Sequence, residues 1–373
     1  MNIYTIPSIN KQKDFCDKNL SDSSPFISSE FFEKLESNKC TNIDKGWIPE
    51  HIIIEENKKV VGMIPNFRKL NSNGEYVFDH IFANAYNSVG IEYYPKYLSA
   101  IPFTPVNRKK FIYGSKSIND NLLYKNLIKL FIKKKISSFH INFVEKEVSE
   151  TLKSFGFFQR LGIQYYWYND SYENFESFLS KLKRKKRKNI LKERNYFKEN
   201  KIEFFVKKGL EIKKKDIDLF YQCYQHTIRK KWSVAYLNNS FFNDLLNSNI
   251  TNDLILVQAY KGNDFLGCAL HFLGDDTIYG RYWGALYEVP YLHFELCYYQ
   301  AIEFAIKKKI KKIEAGAQGE HKISRGYVPK ITYSNHWFVN NKLSGLINDF
   351  FLQERNKVME SINYLESFVP FMD

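Results

Sequence analysis

Two stretches of this 373-residue chain repeat one another in the same order, which limits the folds open to it more than any other feature. Ser29–Asn38 (SEFFEKLESN) matches Ser240–Asn249 (SFFNDLLNSN). A hairpin follows each, His51–Glu55 with Val60–Pro65 in the first case and Leu254–Tyr260 with Phe265–Leu270 in the second. Aromatic segments come next, Tyr76–Phe82 and Ile278–Trp283, and both read as strands because aromatic side chains suit a half-buried pleated surface. A helix ending in Ile132–Ile136 (IKKKI) leads into His140, and one ending in Ile306–Ile310 (IKKKI) leads into Glu314. Gly156, Gln164 and Trp167 then stand where Gly326, Ser334 and Trp337 stand. One supersecondary unit made twice explains the series. Each copy is expected to run helix, hairpin, strand, helix, strand, short helix, strand, giving α/β layers of mixed sheets flanked by helices. The predicted division is 1–170 and 171–373.

Each copy carries additions. Residues 87–118 hold Tyr94, Pro95, Pro102 and Pro105, and prolines at that density argue against a central strand. They suggest either an aromatic-lined wall or a pinned surface loop. Between the copies, a helix over 174–199 carries six adjacent cations, Lys183 to Lys188. Such a run is an RNA or phosphate contact through 183–194, a contact with an anionic membrane, or a solvated face. A further helix from Asp216 toward Trp232 sets Tyr221, Tyr224 and Thr227 ahead of Arg229, as groove lining or as packing. Apolar residues at helical spacing from Leu346 to Leu365 predict a C-terminal helix over 343–368 covering the sheet of the second copy.

Composition excludes several classes. A hydrophobic content of 44% with 17% aromatics is too high for a disordered chain. No apolar run approaches the ~18 residues that cross a bilayer, and the first residues lack a basic start and an apolar segment, so a soluble, cytoplasmic protein is expected. The five cysteines, Cys16, Cys40, Cys223, Cys268 and Cys297, are scattered without a C-x-x-C pair, which argues against a disulfide framework and a structural zinc. No metal is expected. The net charge of +14 favours acidic partners.

Chemistry concentrates between Arg281 and Arg325. Gly316 and Gly319 let the backbone bend sharply after a short strand and deliver Gln318, Glu320, His321, Lys322 and Arg325 to the strand's C-terminal end, a common ligand position in α/β sheets. Arg281, Trp283, His293 and Glu295 precede them on a strand and a helix. Residues 293 and 295, two apart on a helix, point to different sides and form no dyad.

Longer motifs carry a resemblance. Val148–Phe157 (VSETLKSFGF) is similar to the closing helix and Gly-Phe turn of GNAT-fold acyltransferases. Gly74–Asp79 (GEYVFD), Tyr93–Lys96 (YYPK), Pro102–Pro105 (PFTP), Lys186–Asn189 (KRKN), Gly280–Gly284 (GRYWG), Leu292–Tyr299 (LHFELCYY) and Gly316–Lys322 (GAQGEHK) resemble the FemAB-like family associated with peptidoglycan biosynthesis or recognition. The resemblance implies two GNAT-like domains and transfer of an acyl or aminoacyl group to an amine, with a peptidoglycan precursor as acceptor. The donor it implies is aminoacyl-tRNA or acyl-CoA. The pyrophosphate turn of CoA-dependent relatives has its nearest counterpart at Arg281–Leu286, which departs from the pattern at its last position.

Transfer to an amine needs a base, oxyanion donors and positioning groups. Glu320 or His321 is the expected base, with Glu295 as a further catalytic candidate. Gln318, Lys322, Arg325, Arg281, Trp283 and His293 are expected to hold substrate, joined by Glu75, Asp79 and Tyr94 of the first copy and by Lys186, Arg187 and Asn189 of the basic helix. The competing expectation is a non-catalytic module that recognises a cell-wall fragment or RNA.

Overall fold

The computed structural model describes residues 1–20, 24–108, 110–114, 118–230, 234–339 and 343–372. The chain forms two compact units, one of residues 1–162 with 331–360, the other of 163–330 with 361–373. The predicted division had kept residues 163–170 with the first copy and 331–360 with the second.

The first unit contains β1 (Asn2–Ile6), α1 (Lys13–Asn19), α2 (Ser29–Ser37), β2 (Trp47–Pro49), β3 (His51–Glu56), β4 (Lys59–Ile64), β5 (Phe67–Lys69), α3 (His80–Ser88), β6 (Lys96–Ser99), β7 (Ile112–Tyr113), α4 (Asp120–Lys133), β8 (Ser138–Val144), α5 (Lys146–Ser154) and the start of β9 (Phe158–Tyr168). The second takes the rest of β9 and then α6 (Phe175–Ser180), α7 (Arg184–Glu199), β10 (Ile202–Lys208), α8 (Lys214–Lys230), α9 (Asn239–Leu246), β11 (Leu254–Lys261), β12 (Asp264–Leu273), β13 (Thr277–Ala285), α10 (Leu292–Phe294), α11 (Gln300–Lys308) and β14 (Lys312–Glu314). From Ile331 onward, β15 (Val328–Phe338) belongs to the first unit, as does α12 (Ser344–Glu366) up to Glu360.

The repeat is visible in the pairing. In the first unit β1, β3, β4 and β7 form an antiparallel sheet, while β6 and β8 run parallel through the crossover helix α4. In the second, β10, β11, β12 and β13 are antiparallel, and β13 runs parallel to β14 through α10 and α11. Parallel neighbours need such a crossover. The closing strands are exchanged: β15, late in the chain, pairs with β8, and the end of β9, early in the chain, pairs with β14. Each copy therefore lends its last strand to the other unit. All seven residues of β8 are buried, as a strand covered on both faces requires.

Four expectations need correction. Tyr76–Phe82 is not a strand: Tyr76 has φ +61° and α3 begins at His80. The carboxylates of Glu75 and Asp79 bend this segment inward, since both accept from the buried ammonium of Lys96, the first at 2.7 Å. The proline-rich 87–118 segment does contain a central strand, β6, which pairs with β5 and β8. Pro95 stands immediately before it, where the missing N–H costs no ladder bond. The C-terminal helix does not cover the second unit alone, because Ile347 and Phe351 pack in the first with Phe82, Tyr86 and Phe338. The basic stretch 174–199 is broken into α6 and α7, and Lys231 and Trp232 lie outside the described residues.

The exchange brings His336 of β15 to His140 of β8, Nδ1 to Nδ1 at 2.5 Å, both buried. Burial depresses both imidazoles, His140 to about 3, so they stay neutral when an unfolded histidine, at about 6.5, takes up a proton. Because the folded pKa values are the lower ones, stability is intact above about 6.5 and falls below it. The loss is about 1.4 kcal/mol per pH unit for each histidine, until the folded state also titrates. Urea unfolding of the first unit should therefore weaken steeply between pH 6 and pH 5, and His336→Gln should flatten that dependence. Equal midpoints at both pH values would contradict the buried neutral pair.

Candidate active site

In the second unit β13 and β14 stay paired only from Thr277 to Tyr279 against Lys312 to Glu314. Beyond that point β13 runs on to Ala285 while the other chain turns away at Ala315, so the two parallel strands part at their C-terminal ends. Arg281 bridges the parting, donating from Nη1 to the carbonyls of Gly280 (3.0 Å) and Glu314 (3.3 Å). The buried Glu314 carboxylate pairs with Lys312 at 3.1 Å and with Arg281 at 3.5 Å.

The departing loop is held from inside. Lys322 is buried, and its ammonium donates to the carbonyls of Ala315 (2.7 Å), Gly316 (3.4 Å) and Gln318. Burial lowers this lysine to about 8. Gly319 has φ +99°, and a Cβ there would lie 2.5 Å from Cε1 of His321. The glycine thus allows the short 3-10 turn Glu320–Arg325 to fold the imidazole back over the loop.

His321 joins an aromatic set. Its Nε2 lies 3.0 Å from the Tyr298 hydroxyl, its ring 5.7 Å from that of His293, and His293 stacks on Trp283 at 4.4 Å. Tyr298 reaches this place from a π-helical turn, Glu295–Tyr299, inserted between α10 and α11; such insertions rotate the following side chains and recur at functional sites. Burial, then the cations of Arg325 and Lys322, push the His321 imidazole below its ordinary value, while burial raises the Tyr298 phenol. The imidazole is accordingly neutral at pH 7, as a proton acceptor must be.

The other expected residues have varied surroundings. Glu320 and Gln318 are exposed on the loop. Arg325 is buried, with its guanidinium 3.4 Å over Phe294, Nη1 donating to the His321 carbonyl and Nη2 to Glu193. Glu295 is also buried and accepts from Arg194 and Gln300, an arrangement that fixes α7 to the π turn rather than exposing a carboxylate. Lys186 donates to Ser324 at 2.9 Å, Arg187 is half-buried and Asn189 is exposed. In the first unit, Glu75 and Asp79 belong to the buried network around Lys96, with Tyr93 donating to Asp79 at 2.6 Å. Tyr94 shares a 2.7 Å bond with Ser72. Lys322, Arg325, Glu295, Glu75 and Asp79 are thus engaged by their own chain.

On the opposite face of β13, α8 packs so closely that a Cβ on Gly284 would meet the Cys223 carbonyl at 2.1 Å. The last turns of α8 and Leu286 border an open groove of about 560 Å³ lined by Gln222, Gln225, His226, Arg229 and Lys230. Sequence reasoning found the cations but missed Gln222, Gln225 and His226. Their spacing with Arg229, at three, four and seven residues, marks one helical face and was a readable signal. Tyr298 and Phe294 were missed too, since nothing in the sequence announces the π turn that aims them.

Repeated α/β units with a parallel pair parting around a polar loop define a tandem acyltransferase-type, GNAT-like fold. The chain belongs to the FemAB-like family, described as peptidoglycan biosynthesis/recognition, whose model matches residues 5–373. The crystal structure of FemX is similar over 93% of this chain and 100% of that one, at 13% identity and a TM-score of 0.54. L-PGS from Bacillus licheniformis is similar over 88% and 96%, at 10% identity and a TM-score of 0.51. The C-terminal domain of a putative lysylphosphatidylglycerol synthetase from Agrobacterium fabrum is similar over 93% and 97%, at 6% identity and a TM-score of 0.53. No curated protein sequence matches the chain. Family membership supports a transferase; among the described residues no helix is long and apolar enough to cross a membrane.

Replacing Lys322 with Met should leave the carbonyls of Ala315 and Gln318 without this donor, at a cost of about 1–3 kcal/mol. Amide exchange in 315–325 should accelerate, while exchange in β11 and β12 stays slow. Unchanged protection of the loop would show that the ammonium does not hold it.

Proposed function

We propose that this chain transfers an acyl or aminoacyl group to the amine of a peptidoglycan precursor, with chemistry at the C-terminal end of β13. The observation that carries this is the neutral His321 imidazole, fixed by Tyr298 beside the parted strands. With its Nε2 proton donated to the Tyr298 oxygen, His321 keeps the Nδ1 lone pair for an incoming ammonium or amine. The amine nitrogen attacks the carbonyl carbon of the donor and a C–N bond forms. The amine proton passes to Nδ1, directly or through water, and the proton then leaves with the departing ribose hydroxyl or thiol as the C–O or C–S bond breaks. Exposed Glu320 is the second candidate for the proton.

The groove at the end of α8, on the face of β13 away from His321, suits a part of the acceptor remote from the reacting amine, which must reach His321 around the end of the strand. Arg229, Lys230 and His226 offer donors for a phosphate or carboxylate, and Gln222 and Gln225 suit peptide groups. For the donor, the outward residues of α7 favour aminoacyl-tRNA: Lys183, Arg184, Lys185, Lys188 and Lys192 are all exposed, whereas Glu193 and Arg194 turn inward. Acyl-CoA is the other donor, and an anionic membrane is the other partner for the same cations. A soluble precursor and a tRNA would place the reaction in the cytoplasm.

His321→Gln should lower kcat by about 10²–10⁴-fold with little change in KM, in single-turnover assays with a nucleotide-linked muropeptide. The ring keeps a solvent-accessible side and glutamine can still hydrogen-bond Tyr298, so the melting temperature should move little. Full turnover in the variant would remove the imidazole from the mechanism. Tight muropeptide binding without product from either donor would favour recognition over catalysis.

The donor assignment has its own test. Binding of tRNA should weaken steeply with salt, with a log–log slope of about −0.7 to −0.9 per phosphate contacted. Neutralising Lys183, Arg184, Lys185 and Lys188 to Gln should make that slope shallower. A salt-independent interaction would count against tRNA.

A further inference from the structure

Strand β10 ends the sheet of the second unit. Among the described residues it pairs with β11 alone, from Ile202 opposite Lys261 to Lys208 opposite Ile255, which leaves a seven-residue outer edge. Two large apolar side chains are exposed on it, Phe205 at 47% and Val206 at 39%. Unpaired edges of this kind are templates for another strand unless charge or a bulge blunts them. Here the charges are placed so as to select one partner.

We propose that β10 pairs antiparallel with the β10 of a second copy of this chain, about a twofold axis at Phe205. An axis perpendicular to the sheet keeps each residue on its own face, so facing residues must differ by an even number and their numbers must share a constant sum. The register centred on Phe205 sets Phe205 against the partner's Phe205, Glu203 against the partner's Lys207, and Phe204 against the partner's Val206, the last two each made twice. One face then carries an aromatic pair between two opposite-charge pairs, and the other carries two apolar pairs with Ile202 against the partner's Lys208 at either end. The aromatic, apolar and opposite-charge pairs are of the favourable cross-strand types. Shifting the axis to Phe204 sets Lys201 against the partner's Lys207 and Glu203 against the partner's Phe205. Shifting it to Val206 sets Phe205 against the partner's Lys207. Both lose the charge matches, so the sequence of the edge specifies one register and a copy of itself.

The side chains are available for it. Glu203 is exposed. Lys207 pairs with Asp216 at 2.7 Å but keeps 30% of its side chain in solvent, and its ammonium has further protons to give. Beyond the strand, Leu210 is 73% exposed and extends the apolar margin.

Sedimentation equilibrium of the full chain should show a reversible monomer–dimer equilibrium in the micromolar range. Glu203→Lys puts like charges across both flanking pairs and should weaken the dimer at least about tenfold. Phe205→Lys should do the same through the central pair. Both positions are exposed, so both variants should melt with the parent. Mixing the Glu203→Lys chain with a Lys207→Glu chain should restore a dimer, because each sign then meets its opposite across the axis. A monomer at high micromolar concentration would overturn the proposal. So would a dimer insensitive to both Glu203→Lys and Phe205→Lys, which would place the contact elsewhere. Should Lys207→Glu unfold through loss of Asp216, the two exposed substitutions decide the question alone.

Discussion

A buried ammonium held by main-chain carbonyls is the interaction on which the site depends. After β14 the chain leaves the sheet, keeping one bond from the Tyr165 N–H to the Gly316 carbonyl, and the carbonyls of Ala315 and Gln318 need another donor. Lys322 supplies the donors, closing Ala315, Gly316 and Gln318 into one ring of acceptors. The first unit also uses a buried lysine on main-chain carbonyls, at a different point of its fold. There Lys110 donates to the carbonyls of Val106 (3.2 Å) and Arg108 (2.6 Å), in the segment that follows β6, and to that of Phe143 (2.9 Å) within β8.

What differs is the use made of the held loop. In the second unit Gly319 leaves room for His321 to fold over it, and burial, with the neighbouring cations, keeps that imidazole neutral. In the first unit the titratable groups are spent on the core. Lys96 and Lys69 face Glu75 and Asp79, two basic and two acidic side chains, all buried. Such a cluster is stable only while complete, because removing one member strands a buried opposite charge. Duplication has thus left one copy with an exposed polar loop and the other with an internal salt-bridge network.

The repeat, and with it the α/β layering, was legible because hairpins, Lys-rich helix ends and glycine turns obey local rules. The glycine-spaced loop was legible for the same reason. The exchange of β9 and β15 was not, since strand pairing is decided by long-range packing and each strand reads the same whichever sheet receives it. Tyr76–Phe82 misled because aromatic residues suit strands, while its fate was set by the attraction of Glu75 and Asp79 to Lys96. Glu295 misled similarly. A carboxylate near a histidine reads as chemistry, yet its partner Arg194 lies 101 residues away in sequence.

These differences converge on one side chain. As a proton acceptor His321 must be an uncharged imidazole at neutral pH, with its proton on Nε2 toward Tyr298. Titration of the histidine ring nitrogens by ¹⁵N NMR, with the His321 resonance assigned through its loss in a substituted chain, measures both properties directly. A pKa below the ordinary value of about 6.5 with protonated Nε2 is the predicted result. A pKa at or above that value, or a proton resting on Nδ1, would contradict it.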